Sequence, residues 1–351
     1  MEYKYVTIII PVYNAGKTLP YVLLSLAMTE YAHDHVKVVI VDANSTDRSL
    51  EIAEDFKQRY SQRFCSVEVI ELGQRATTSR ARNEGAKRAI PESYLMFLDS
   101  DVILKPATLK DLLTIAEDNP HVGAVGALCI THNPSLFEKL MWYRYLGKVS
   151  EGPAGTGALL IKPEVFERVG PFNESLGYPR TIYEDLEYVM RIRRNGYKVL
   201  IDGRDPLLHF KPPQGGNWRK ERSLEHVVKH YASYFSLSKA YALYEALRVA
   251  PMRYKLEYVA YVVLSVVLAL VGVLSSPLLL LALTILLFSS SLYSLISYGT
   301  TMSTALKIVA GPAILLSRVL RAITLMVYVV ARVVTNIVLS PYHKKVKRRS
   351  K

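Results

Sequence analysis

The sequence has no acidic residue after Glu257. It has only two cysteines, Cys65 and Cys129, in no C-x-x-C pair and at no zinc-ligand spacing. A disulfide scaffold and a cysteine zinc site are thereby excluded, and a reducing compartment fits. It has no G-x-G-x-x-G and no G-x-x-x-x-G-K-[ST], so neither a dinucleotide fingerprint nor a P-loop is supported. The N-terminal apolar run, Val6 to Pro11, is shorter than the roughly 7–15 residues of a secretory signal core. The expectation is a body that stays in the cytosol.

What is present is distributed unevenly. The chain has 351 residues, a formal net charge of +13 and 50% hydrophobic residues, far too apolar for a disordered chain. A charge of that size spread over a soluble surface would point to nucleic acid, but residues 1–218 hold 26 basic and 27 acidic side chains. Residues 219–257 hold 8 basic and 4 acidic ones, and the last 94 residues hold 10 Lys or Arg. The excess belongs to the tail, so no nucleic-acid partner is expected.

From Tyr258 to Leu306 no residue is charged, and Ser275-Ser276-Pro277 breaks the run. The two pieces, Tyr258–Leu274 and Pro277–Tyr298, read as membrane spans, which need ~20 helical residues each. Two spans return the basic end, His343 to Lys351, to the cytosol, as the positive-inside rule prefers. Farther on, Lys307, Arg318, Arg321 and Arg332 interrupt an apolar region. At about 100° per residue they share a stripe of about 60°. An amphipathic helix in the cytosolic interface and a third span with arginines facing protein both fit. Between body and tail, Tyr231, Tyr234, Tyr241, Tyr244, Tyr254, Tyr258 and Tyr261 recur at helical gaps, interleaved with Lys and Arg. Such a mixture suits a headgroup layer or an ordinary helix face on the body. The expected division is a catalytic body over 1–218, juxtamembrane helices over 219–257, two spans over 258–298, and an interfacial or third membrane helix with a basic tail over 299–351.

The body alternates strand and helix patterns. Val6–Val12, Val36–Val41, Val67–Leu72 and Tyr94–Leu98 read as strands, and Leu19–Met28, Leu50–Tyr60 and Thr78–Ala89 as helices. That order predicts an α/β fold with a mostly parallel central sheet covered on both faces. Ligands in such sheets bind at the carboxyl ends of the strands, where Pro11–Asn14, Asp42–Asp47 and Asp99–Asp101 all fall. Asp99-Ser100-Asp101 continues a buried strand. In extended chain the two carboxylates share a face, half of a site for a hard divalent cation on a diphosphate.

The sequence resembles the inverting, family 2 glycosyltransferases of GT-A fold over roughly residues 5–211. The resemblance rests on IIIPVYNAGKTL, VVIVDANSTDRS, ATTSRARNEGA, LMFLDSDVIL, GTGALLIKPEVFERVGPFNESL and YEDLEYVMRIRRNGYKV, followed by Asp205–His209. It implies a nucleotide-sugar-binding domain in which Pro11, Tyr13, Asn14 and Asp42 line the nucleotide pocket. Arg75, Arg82, Asn83, Asp99 and Ser100 would lie near the sugar nucleotide. Asp101, with Asp99 and His209, would hold the diphosphate through Mg²⁺ or Mn²⁺. Ala43 stands where the family often has a second acid, which leaves the base preference open between UDP and GDP donors. Glu184-Asp185 matches the family's acidic pair. Asp185 would take the proton of an attacking sugar hydroxyl, and Glu184 would orient it or bind the acceptor. The alternative for two acids at a helix start is simple complementarity to the macrodipole. Gly155, Thr156 and Gly157 resemble the acceptor-side turn. Gln214-Gly215-Gly216-Asn217-Trp218 is a degraded Q-x-x-R-W motif of processive synthases, in which Trp218 would touch the acceptor.

The expectation is thus a membrane-bound glycosyltransferase at the cytosolic face of the cell membrane, moving a sugar to a lipid-linked hydroxyl acceptor. A polyprenyl-phosphate acceptor needs no base, so Glu184-Asp185 favours the hydroxyl. A processive polysaccharide synthase and a non-catalytic sugar-nucleotide scaffold are the other readings.

Overall fold

The computed structural model describes residues 3–131, 134, 138, 142–177, 183–210 and 237–274, with single positions between 283 and 323. The first half alternates β1 (Val6–Val12), α1 (Leu19–Ala27), β2 (Val36–Asp42), α2 (Ser49–Tyr60), β3 (Ser66–Glu71), α3 (Thr78–Ala86) and β4 (Tyr94–Leu98). There follow β5 (Val102–Ile103), α4 (Thr108–Glu117), β6 (Val122–Thr131), β7 (Val149–Glu151) and β8 (Ala158–Ile161). The last described elements are α5 (Pro163–Val169), α6 (Glu184–Arg194), β9 (Lys198–His209), α7 (Leu237–Val249) and α8 (Met252–Leu274).

The strands form one sheet in the order β3-β2-β1-β4-β8-β6-β9-β5, with β7 also on β9. The parallel half β3-β2-β1-β4 follows from the alternation, because each helix carries the chain back to the same edge. Its registers are regular, with Ile8 beside Val38 and Met96. The second half departs from the expected mostly parallel sheet. β8 enters between β4 and β6 antiparallel to both, and β5 and β7 run against β9. The sheet is therefore mixed. That reversal places the start of β8 beside the end of β4, with Ala158 opposite Leu98.

β1 is buried along its whole length, as a strand covered on both faces must be. Ile8 and Ile10 pack with Leu19, Leu23 and Leu26 of α1 and Leu109 and Leu112 of α4. Ile9, Leu95 and Phe97 point the other way, into a core with Ala81 of α3, Val165 of α5 and Tyr188, Val189 and Ile192 of α6. α3 approaches β1 closely: a Cβ on Gly85 would stand 2.4 Å from Ile9 Cγ2. This helix ends at Ala86 rather than the expected Ala89.

Two described helices, α7 and the start of α8, lie in the stretch expected to be juxtamembrane. α7 packs on α6, and α8 runs unbroken across the expected boundary at Glu257. The uncharged part of α8, Tyr258–Leu274, covers about 25 Å at 1.5 Å per residue, against a hydrocarbon core of about 30 Å. Among the described residues no helix is long and apolar enough to cross a membrane. Pro277–Tyr298 and 299–351 lie outside the described residues apart from single positions. Two tyrosines expected in a headgroup layer meet protein groups. Tyr254 receives a hydrogen bond from Arg193, and Tyr261 one of 2.7 Å from Arg318. Arg318, expected to face headgroups, pairs with Glu257 at 2.8 Å.

Phe97 is fully buried, with Phe172 edge-on at 5.0 Å and Phe166 at 6.4 Å. Replacing it with alanine removes that contact between sheet and helices. Phe97→Ala is expected to lower unfolding stability by about 3–5 kcal/mol, read as the shift of a urea transition.

Candidate active site

The strand ends assemble the site. After β1, Asn14 adopts φ 49°, and after β2, Asn44 adopts φ 64°, so the chain turns sharply at both places. The two loops clasp each other: Asn14 N donates to Ser45 Oγ at 2.9 Å, and Thr46 N donates to Asn14 Oδ1 at 2.8 Å. Asp47 accepts Gly16 N at 2.9 Å. Pro11, opposite Val41, closes β1, and Arg75 lies over the Tyr13 ring at 4.6 Å. Asp42 is 1% exposed. Its Oδ2 accepts Ser45 N at 2.9 Å, while Oδ1 has no partner. A buried carboxylate oxygen left in that state is costly unless a donor arrives, which suits a hydroxyl or N–H of a ligand.

At the end of β4 the chain turns, with Val102 N donating to Asp99 O at 3.1 Å. The period-two alternation therefore stops at Leu98, and the two aspartates part. Asp99 Oδ1 accepts Arg82 at 2.8 Å. Asp101 Oδ2 lies 3.0 Å from His209 Nε2. The β5–β9 pairing sets this second contact, for Val102 stands opposite His209 and Phe210 N donates to Asp101 O at 2.7 Å. Ser100 contributes its carbonyl, which accepts Thr18 Oγ1 at 2.8 Å.

Arg82 reaches the site from beneath. Its side chain is 2% exposed and also donates to Glu184 Oε1 at 3.1 Å. One guanidinium thus ties the end of β4 to the start of α6. Burial opposes its charge, but Asp99 and then Glu184 outweigh it and hold its pKa above the ordinary value. Asn83, the next residue, turns away. Its amide donates to Phe172 O at 2.9 Å and Glu174 Oε1 at 3.0 Å and accepts from Phe172 N at 2.8 Å, so it pins the loop that carries Phe172.

Asp185 sits in the first turn of α6, preceded by Tyr183 at φ 73°. Its pKa is pushed up to about 6, first by burial and then by the charge of Glu184, with Arg82 pulling the other way. Oδ1 accepts the amide of Leu186 at 2.7 Å. Oδ2 faces Gly155, where a Cβ would stand 3.4 Å away. Asp99 N donates to Gly157 O at 3.0 Å, which draws the Gly155-Thr156-Gly157 turn against the aspartates. A Cβ on Gly157 would come within 3.0 Å of Cys129 Sγ. These groups line a cavity of about 380 Å³ together with Trp142, Tyr145 and His209.

Asp99, Glu184, Asp185, His209 and the 155–157 turn therefore share one cavity. Pro11, Tyr13, Asn14 and Asp42 form its neighbour at the ends of β1 and β2. Trp218 lies outside the described residues. The cavity also contains side chains that motif reading passed over. Trp142 and Tyr145 form its aromatic wall, and the only signal for them is the aromatic run Trp142-Tyr143-Arg144-Tyr145 between strands.

Residues 7–170 match the family described as Glycosyl transferase family 2. Poly-beta-1,6-N-acetyl-D-glucosamine synthase of Staphylococcus epidermidis is 25% identical over 228 residues, 61% of this chain and 52% of its own length. TarS of Staphylococcus aureus, named a poly(ribitol-phosphate) beta-N-acetylglucosaminyltransferase, is 30% identical over 113 residues, 32% of this chain and 19% of its own. The chain thus spans about half the length of the first relative and about a fifth of the second. Among solved structures, the mannosyltransferase PcManGT from Pyrobaculum calidifontis, in complex with GDP-Man and Mn²⁺, aligns with a TM-score of 0.51 at 20% identity, over 89% of this chain and 87% of that one. That likeness concerns the fold, which is of GT-A type. Over residues 7–170 the chain is thus similar to family 2 glycosyltransferases, and the relatives it matches there are named as a synthase and a glycosyltransferase.

Proposed function

We propose that the chain transfers a sugar, with inversion, from a nucleotide-sugar donor to a hydroxyl of a lipid-linked acceptor, with Asp185 as general base. The observation that carries the reading is the placement of Asp185 in the cavity, open towards the 155–157 turn, with a pKa of about 6. A base poised near the working pH is efficient at accepting a hydroxyl proton. Glu184 is held by Arg82, so it is a fixed charge that keeps Asp185 basic. A phosphate acceptor carries its own negative charge and needs no such base.

The nucleotide belongs at the ends of β1 and β2, where the unpartnered Asp42 Oδ1 awaits a donor. The relatives' names mention N-acetylglucosamine, and the PcManGT complex holds GDP-Man. Both UDP- and GDP-linked donors remain within the proposal. A divalent ion, Mg²⁺ or Mn²⁺, fits Asp101 and His209, a carboxylate and an imidazole directed at each other. Among the described residues no group of three such side chains stands together, and Asp99 is engaged by Arg82. Substrate phosphates and water would complete the ligand set, a usual arrangement for Mg²⁺. The ion would supply positive charge to the leaving diphosphate.

The lipid acceptor and a place at the cytosolic face of the cell membrane rest on sequence. Residues 258–306 are uncharged, and the basic excess follows them. A near-neutral body gains nothing from such a tail except location beside an anionic leaflet.

Asp185→Asn is expected to leave nucleotide binding intact and to reduce transfer by about 10²–10⁴-fold, measured with a radiolabelled UDP- or GDP-sugar and a membrane lipid extract. Transfer at the wild-type rate would remove Asp185 from the role. For the unsubstituted enzyme, only the ionised carboxylate accepts a proton, so kcat/KM should fall as pH drops through about 6. Arg82 pulls that pKa down, so Arg82→Gln should move the acid limb to higher pH. It should also cost about 3–5 kcal/mol in urea unfolding, by leaving two carboxylates without their cation. Arg82→Lys should bring the limb back part of the way.

A further inference from the structure

The helix α6 has two electrical poles, with Glu184, Asp185 and Glu187 in its first turn and Arg191, Arg193 and Arg194 in its last. Asp99, Glu184 and Asp185 line the cavity, and so does Tyr145. Burial holds the Tyr145 phenol above its usual range, while Arg144, Arg193 and Arg318 pull it down. Arg193, in the last turn of α6, is 8% exposed. It donates to Tyr254 Oη, its guanidinium lies 5.4 Å from the Tyr254 ring, and its Nε has no partner. No carboxylate forms an ion pair with it among the described residues. Arg253 approaches the same ring at 4.8 Å, donates to Tyr254 Oη at 3.1 Å and reaches Glu151 at 3.1 Å. Glu151 on β7 is the acid facing this group, and Glu257 on α8 is taken by Arg318.

A buried guanidinium whose partner is a neutral phenol, with a second guanidinium on the same ring, is an arrangement that an anion would stabilise. We propose that Arg193 and Arg253 at the α6–α8 junction bind a phosphate group of the acceptor. This rests on the proposed transfer to a lipid-linked hydroxyl and narrows it. Arg193 lies eight residues beyond Asp185 on α6, about 12 Å along the helix axis. The acceptor class that fits is a phosphate- or diphosphate-linked saccharide, with its reacting hydroxyl at the carboxylate pole, its phosphate at the cationic pole and sugar between them. A bare polyprenyl phosphate, which brings phosphate and nucleophile to one point, does not fit.

The test uses the full chain in neutral detergent with EDTA and saturating UDP, so that the nucleotide site is filled and metal-free. Retention of radiolabelled inorganic pyrophosphate is measured by equilibrium dialysis. The Arg253 side chain is 64% exposed, so Arg253→Gln should keep the melting temperature and weaken retention about tenfold, with Arg193→Lys weakening it as well. Vesicles of phosphatidylglycerol should displace pyrophosphate no better than vesicles of phosphatidylcholine. Unchanged retention in Arg253→Gln would overturn the site. Selective displacement by phosphatidylglycerol would overturn its assignment to the acceptor, because a headgroup would then be the ligand. Donor hydrolysis, followed separately with metal present, separates the two levels. Absence of turnover counts against the transferase reading, whereas turnover without pyrophosphate retention removes only the phosphate site.

Discussion

The Arg82 guanidinium is the interaction on which the rest of the site depends. It is 2% exposed on its side chain and lies between Asp99 and Glu184. A cation so deeply placed is tolerable only with anionic partners, and each partner is equally dependent on it. The three side chains come from α3, the end of β4 and the start of α6, elements that are distant in sequence. Their mutual requirement fixes how α3 and α6 sit on the sheet, with Phe172 under the guanidinium at 5.5 Å and Asn83 holding the loop that carries Phe172. It also decides which acids are available for chemistry. Asp99 and Glu184 are engaged, and Asp101 and Asp185 face outward to other partners.

The antiparallel insertion of β8 makes that division possible. In a purely parallel sheet the end of β4 would stand beside the end of another strand. Here it stands beside the start of β8, so the 155–157 turn meets Asp99 and Asp185 directly. β9, parallel to β6, then delivers His209 to Asp101 across the short β5. On the proposed reading, donor-side groups collect at the ends of β1, β2 and β4, and acceptor-side groups at the reversed strand and at α6.

Much of the parallel half was legible in the sequence, because each strand is a short apolar, β-branched or aromatic run between turn residues and each helix has the right period. Val6–Val12 and Tyr94–Leu98 stand where the pattern puts them. The second half was less legible. β8 is four residues long, and nothing in Ala158–Ile161 states the direction in which it pairs. For the site, residue types were legible and directions were not. Asp99 and Asp101 looked like one pair because i and i+2 share a face in extended chain, but the backbone turns between them. Asn83 looked like a ligand contact beside Arg82, yet consecutive helical positions point about 100° apart, and it faces the Phe172 loop. Arg193 is one of three arginines in the last turn of α6, and its burial against Tyr254 sets it apart.

α6 joins these observations. Its first turn presents Asp185 to the cavity, its middle packs Tyr188, Val189 and Ile192 into the core, and its last turn meets α8 through Arg193 and Tyr254. A helix packed along its length moves as a rigid element. The seat of α8 and the position of Asp185 are therefore not independent, and a displacement of α8 that carried Arg193 with it would tilt the turn holding Asp185. The same geometry brings Tyr254, ahead of Tyr258, against Arg193 of the body. If α8 leads into a membrane, the body is fixed to it through the element that carries Asp185, so the distance of Asp185 from the lipid surface is set by a packed helix and not by a flexible tether.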